Sequence, residues 1–142
     1  MKIPFTKTVN DENETKDLAE EFANLIKKGQ VIVLNGNLGS GKTFFIKKLL
    51  NSFSIYNVSS PSFTIVNEYN GSIKAYHFDF FRLKTIDELY DIGWQDYLND
   101  VNAVTFIEWG NQLENALPKK RIEILIKPIN DTKRIFDFNK YE

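Results

Sequence analysis

The chain has 142 residues, no cysteine, a formal net charge of −1, 42% hydrophobic and 26% charged residues. That length builds one domain with a sizeable core and leaves no room for a second catalytic module, so a single domain spanning 1–142 is expected. The charge excludes a general basic field for gripping nucleic acid, the missing cysteines exclude disulfides and thiolate metal sites, and no apolar run approaches a membrane span.

In chain order, Met1 to Asn13 lacks the apolar core of a signal peptide, which with the composition gives an expectation of a cytoplasmic protein with no membrane partner. Ile3 to Val9 reads as a short edge strand. Thr15 is placed as the N-cap of a helix in which Leu18, Ala19, Phe22, Leu25 and Ile26 recur at helical spacing, with Lys27-Lys28-Gly29 as its stop. Val31 to Leu34 is a continuous apolar run, as in a parallel strand covered on both faces. It leads into Gly36-Asn37-Leu38-Gly39-Ser40-Gly41-Lys42-Thr43, which fits the phosphate-loop pattern G-x-x-x-x-G-K-[ST]. Phe45, Ile46, Leu49, Leu50 and Phe53 then mark one face of a helix.

This strand–loop–helix order is the context the pattern requires. The glycines let backbone N–H groups approach phosphate oxygens, Lys42 can reach the β- and γ-phosphates, and the Thr43 hydroxyl can ligate Mg²⁺. The helix N-terminus adds its free N–H groups and the positive end of its dipole.

Val58 to Phe63 is polar and turn-rich. Thr64 to Tyr69 and Ser72 to Asp79 flank Asn70-Gly71, the strongest short hairpin signal, so antiparallel strands are expected. Thr85-Ile86-Asp87-Glu88 has the form of a capping box and opens a short helix ending near Gly93, with Trp94 to Leu98 adding a turn. Val101 to Ile107 is a second apolar strand ending in Glu108-Trp109, and Pro118 closes a loop. Arg121 to Lys127 and Arg134 to Phe138 alternate polar and apolar residues around Asn130-Asp131-Thr132-Lys133, an antiparallel hairpin at one edge of the sheet. The expected fold is an α/β, P-loop NTPase-like three-layer sandwich whose mixed central sheet has a parallel core and antiparallel hairpins.

A nucleotide hydrolase also needs an acidic group for Mg²⁺ and a group that orients the attacking water. Asp79 and Glu108 each follow a mostly apolar strand and are candidates for both roles, against the alternative of solvated strand-end carboxylates. The hydroxyls of Ser59, Ser60, Ser62 and Thr64 fit either a switch that senses the γ-phosphate or plain turn chemistry around Pro61. His77, the only histidine, reads as structural more readily than catalytic. Arg82 can stabilise phosphate charge or pair with a nearby acid. With arginines only at 82, 121 and 134, the cationic clamp of a small-molecule kinase is not provided for. No Asn-Lys-x-Asp guanine-reading motif is found, so adenine is the expected base. The aromatics fall at core positions with few basic residues between them, which favours packing over base stacking.

Taken together, these segments resemble the TsaE (formerly YjeE) family of small bacterial ATPases of tRNA threonylcarbamoyladenosine synthesis. The matching pieces run from Thr15 and the Gly36–Thr43 loop through Ser60-Pro61-Ser62-Phe63-Thr64, Asn67-Glu68-Tyr69 and His77-Phe78-Asp79-Phe80-Phe81-Arg82-Leu83 to Glu108-Trp109, with Pro118 and Arg134 as looser matches. The resemblance implies that Gly36, Asn37, Leu38, Gly39, Ser40, Gly41, Lys42 and Thr43 bind ATP, and that Lys42, Asp79 and Glu108 are catalytic. It also implies that Thr43, Glu108 and Asp79 serve Mg²⁺, and that Ser60, Ser62 and Thr64 form a switch. Thr8 and Arg134 would flank the adenine. It further implies a slow ATPase that acts on a complex of TsaB-like and TsaD-like proteins, with tRNA contacted only indirectly. Asn37, Ser62 and Phe81 stand where the family more often has Asp, Thr and Tyr. Ser62 keeps the hydroxyl, Asn37 removes a negative charge beside the phosphate loop without weakening phosphate binding, and Phe81 loses the phenol. Two other readings of the same scaffold are a stand-alone small-molecule kinase and a nucleotide-sensing module without turnover.

Overall fold

A computed structural model describes all 142 residues. The strands are β1 (Phe5–Val9), β2 (Val31–Asn35), β3 (Val66–Asn70), β4 (Lys74–Asp79), β5 (Ala103–Glu108), β6 (Arg121–Pro128) and β7 (Arg134–Tyr141). The helices are α1 (Glu12–Ala23), α2 (Lys42–Asn51), α3 (Ile86–Asp91) and α4 (Trp94–Leu98), with a 3₁₀ helix over Gly110–Ala116. No helix is long and apolar enough to cross a membrane.

The strands form one sheet in the order β1-β7-β6-β2-β5-β4-β3. β6, β2, β5 and β4 are mutually parallel, while β3, β7 and β1 each pair antiparallel with their neighbour. Alternation along β2 explains its unbroken apolar run. Ile32 and Leu34 enter the core beneath α1 and α2, and Val31 and Val33 enter the core beneath α3, α4 and the 3₁₀ helix. Burying each such side chain contributes about 1.5–3 kcal/mol. The first core is rich in phenylalanines packed at tilted angles, with Phe22–Phe138 at 5.1 Å and Phe45–Phe136 at 5.0 Å between centroids. The second holds Trp94 against Phe78 at 4.8 Å, and the indole N–H donates to Ala116 O. These aromatics are thus core residues, as their spacing implied, whereas Tyr56, Phe63, Phe81, Tyr90 and Tyr141 are exposed; the expected three-layer mixed sheet is the observed one.

Local details differ from expectation. The N-cap of α1 is Asp11, not Thr15: its extended backbone leaves the carboxylate free to accept from Glu14 N–H at 2.9 Å. Thr15 lies one turn in, buried, with its hydroxyl donating to Asp11 O. Leu25 and Ile26 lie past the helix end at Asn24. The β3–β4 hairpin forms, but Asn70 pairs with Lys74, so the loop is Gly71-Ser72-Ile73 rather than a two-residue Asn-Gly turn. Gly71 is needed for a different reason: a Cβ there would lie 2.2 Å from Phe53 O, where the chain leaving α2 crosses the hairpin. The β6–β7 hairpin is internal, because β1 adds outside β7 through the register Phe5↔Phe138 to Val9↔Arg134. The capping box of α3 forms as expected, with Glu88 accepting from the N–H groups of Thr85 and Lys84.

A candidate nucleotide site at the carboxyl edge of the sheet

The central strand β2 delivers the chain to the Gly36–Thr43 loop, and α2 begins at Lys42. Gly41 is the N-cap, with φ 105°, a left-handed conformation that residues with a Cβ rarely adopt. On the strands beside β2, parallel register sets Leu34 beside Glu108 and Glu108 beside Asp79. The loop and both carboxylates therefore meet at one edge, the edge at which open parallel sheets bind ligands.

The side chains interlock there. Thr43 Oγ1 donates to Glu108, 2.9 Å from Oε1 and 3.0 Å from Oε2. Glu108 Oε2 also accepts from His77 Nε2 at 2.6 Å. Asp79 accepts from the Phe81 N–H at 2.9 Å and from Ser62 Oγ at 3.3 Å, and Ser62 Oγ lies 2.7 Å from Ser60 Oγ. Lys42, only 4% exposed, donates to Gly36 O at 2.7 Å and Asn37 O at 3.0 Å, and its ammonium sits 4.2 Å from the centre of the Trp109 ring. Burial lowers the Lys42 pKa, opposed by the charges of Glu108 and Asp79. Burial raises that of Asp79, and the Glu108 charge adds to the rise.

Two cavities flank the loop. One, of about 270 Å³, is lined by Lys42, Thr43, Ser60, Ser62, Asp79 and Glu108, with Phe81 and Trp109 at its wall. The other, of about 450 Å³, lies across Gly41 and Phe44, between the start of α1 and Arg134 of β7. Arg134 Nε would lie 3.7 Å from a Cβ on Gly41, so that side chain borders the loop. Lys42, Thr43, Asp79, Glu108, Ser60 and Ser62 are thus brought together, with Leu38, Gly39 and Gly41 in the same wall. Ser40 is buried under the loop, and Gly36 and Asn37 hold Lys42 through their carbonyls. Thr64 is not drawn in: it donates to Asn67 Oδ1 at the exposed start of the hairpin. Thr8 lies on the edge strand opposite Ile135 and lines neither cavity. Arg82 stacks on the exposed Phe63 ring at 4.4 Å and lines neither cavity.

Two participants carried no assigned role from their residue type. His77 has its Nε2 on Glu108 and its Nδ1 buried without a partner. The signal was its position two residues before Asp79, which puts both on one strand face. Trp109 holds φ 60°, left-handed for a bulky residue, and so lays its ring over Lys42 and against Phe81, 4.8 Å between centroids. The Ser60–Thr64 segment closes through Ile65 N–H to Pro61 O, and Ile65 is itself left-handed at φ 71°. A β-branched residue held there stores about 1–2 kcal/mol of backbone strain.

Fold and loop define a mixed α/β protein of the strand–Gly-x-x-x-x-Gly-Lys-Thr–helix class, with acidic residues at the ends of two neighbouring strands. Residues 9–136 match the model of the family described as "Threonylcarbamoyl adenosine biosynthesis protein TsaE". Among relatives, the TsaE protein of Bacillus subtilis strain 168 is 40% identical over 148 residues, covering 100% of this chain and 91% of its own length. That of Rickettsia bellii is 36% identical over 99% of this chain and 100% of the relative. The crystal structure of Bacillus subtilis YdiB superposes with a TM-score of 0.77 at 32% identity, covering 97% of this chain and 86% of that one. The chain belongs to the TsaE family of threonylcarbamoyl adenosine biosynthesis proteins.

Proposed function

We propose that the chain binds ATP with Mg²⁺ at the Gly36–Thr43 loop, hydrolyses it slowly, and so supports tRNA threonylcarbamoyladenosine formation by a TsaB–TsaD-type complex. The observation that carries this reading is the convergence of the Thr43 hydroxyl, Glu108 and Asp79 beside Lys42 in one cavity. An all-oxygen donor set of one hydroxyl and carboxylates suits Mg²⁺, which retains waters and phosphate ligands rather than filling a protein cage. Thr43 and Glu108 would hold the ion, and the ion would supply charge stabilisation to the phosphates.

The chain's own residues do the rest. Lys42 exchanges the carbonyls of Gly36 and Asn37 for phosphate oxygens, a stronger charge-assisted partner. His77 keeps Glu108 oriented towards Thr43. Asp79 faces Glu108 across the register and is held by Ser62 and the Phe81 N–H, so it is the group placed to orient the attacking water, while Ser62 and Ser60 couple the switch segment to it. Arg134, which borders the loop from the larger cavity, would flank the base, with adenine favoured by the lack of a guanine-reading motif. No arginine lines the smaller cavity that holds Lys42, Asp79 and Glu108, which fits activation in trans by the complex.

The test is ATP turnover with and without a TsaB–TsaD preparation. Stimulation supports the reading; tight ATP binding without stimulation favours a nucleotide sensor. Transfer of labelled phosphate to a metabolite pool rather than to water would instead identify a kinase.

A further inference from the structure

At the opposite end of the sheet, where β2 begins, lies a third cavity of about 450 Å³. Lys27, Lys28, Lys120, Arg121 and Lys140 line it, and no carboxylate does. In a chain with 18 basic and 19 acidic residues, five cations without one acid around a single concavity is not the mixed surface that solvation alone produces. Two of the five are neutralised nearby, Arg121 by Glu123 at 2.6 Å and Lys140 by Glu142 at 3.6 Å. Lys27, Lys28 and Lys120 have no salt bridge and are exposed.

The walls are held by hydrogen bonds to the backbone. Gly29 N–H donates to Ala103 O at 2.8 Å, Lys27 N–H donates to Gln30 Oε1 at 2.8 Å, and Arg121 Nη1 donates to Pro118 O at 3.1 Å. The floor is apolar, formed by Val31, Ile122 and Leu98, and the rim carries Tyr141, 43% exposed, with the Arg121 guanidinium stacked 4.4 Å from its ring centre. An apolar floor, an exposed aromatic beside an arginine, and exposed, unpaired lysines around the rim are the elements of a single-stranded nucleic-acid groove. The volume suits one nucleotide-sized group. β2 alone puts about 13 Å between this end and the phosphate loop.

We propose, in place of the purely indirect tRNA contact that the family resemblance implies, that this basic concavity binds single-stranded RNA through its phosphates, at a site separate from the Gly36–Thr43 loop. RNA is favoured over an acidic protein because the cavity pairs its cations with a stacking platform, and because the family acts in the modification of a tRNA nucleoside. The contact is local, so it is compatible with a chain whose overall charge is −1.

The test is fluorescence anisotropy of a labelled, unmodified anticodon stem–loop RNA with the full chain over a salt series. Each phosphate contact contributes about −0.7 to the slope of log K against log salt for single strands. The triple variant Lys27→Gln, Lys28→Gln, Lys120→Gln should bind the RNA at least ~10-fold more weakly and flatten the slope by about 2. Tyr141→Ala should weaken it at least ~3-fold through lost stacking. Both variants should keep the unfolding temperature and ATP affinity of the parent, and Lys42→Ala should keep RNA affinity, so the result stands whether or not the nucleotide reading does. Unchanged affinity and slope in the triple variant would overturn the proposal. So would the absence of RNA binding at low salt, or equal lysine-dependent binding of polyglutamate or tripolyphosphate.

Discussion

Replacing Thr43 with Val removes one hydroxyl while keeping the side chain's shape, which separates a structural role for that hydroxyl from a metal-binding one. In the structure the hydroxyl donates to both oxygens of Glu108 at 2.9 and 3.0 Å, while Glu108 retains its bond to His77. A hydrogen bond to a charged group contributes about 1.5–3 kcal/mol when fully buried. Thr43 is only half-buried and Glu108 keeps a second donor, so the stability loss should be about 1 kcal/mol. For a domain of this size that lowers the unfolding temperature by about 3 °C. If the hydroxyl also serves Mg²⁺, turnover should fall by about 10–100-fold and the Mg²⁺ concentration for half-maximal rate should rise. Thr43→Ser keeps the oxygen and should recover most of both. The assays are thermal unfolding and phosphate release across a MgCl₂ series. A Thr43→Val protein with the small thermal loss but an unchanged Mg²⁺ requirement would refute the metal role and leave the hydroxyl as a brace for Glu108.

Lys42→Ala should weaken ATP binding by about 10-fold or more, read by calorimetry, because it removes the cation directed at the phosphates. Glu108→Gln keeps an acceptor for Thr43 and His77, so the unfolding temperature should barely move while turnover falls by about 100-fold; retained turnover would remove Glu108 from the metal and catalytic roles. Asp79→Asn should be more heat-stable than the parent at pH 7. Burial holds the Asp79 pKa above its ordinary 3.8 in the folded protein, so the unfolded chain ionises first and the parent loses stability as pH rises above that value; the variant escapes this loss, so its unfolding temperature should exceed the parent's at neutral pH and match it near pH 3. An equal offset at both pH values would show that charge is not the cause. His77→Gln, which can still donate to Glu108, should retain more turnover than His77→Leu at matched stability; equal losses would reduce His77 to a packing residue.

How far the sequence revealed this molecule depended on whether the determinant was local. The Val31–Leu34 run, the glycine loop and the helix face from Phe45 to Leu50 are contiguous, and their pattern forces strand, turn and helix in that order. The Thr85–Glu88 capping box is equally self-contained. Asp11 was missed as the α1 cap because Thr15 satisfies the same residue preference; only the extended backbone at Asp11 decides between them. Asn70-Gly71 misled for the converse reason. Its local preference is for a two-residue turn, but Gly71 is required where the Phe53 carbonyl passes it, a contact between segments 18 residues apart that no local pattern reports. The position of β1 outside β7 is likewise a long-range pairing between the two ends of the chain.

The site follows the same division. Asp79 and Glu108 were legible because each ends an apolar strand, and parallel register then sets them side by side. What joins them to the loop was not legible, because it runs through side chains on three different strands and helices: Thr43 of α2 to Glu108 of β5, and Glu108 to His77 of β4. This chain of contacts fixes the carboxylate while leaving Asp79 tied to the Ser60–Ser62 segment, whose closing residue Ile65 is strained. Glu108 is therefore braced from α2 and β4, whereas Asp79, in the neighbouring strand, is braced by the Phe81 N–H and the Ser60–Ser62 segment.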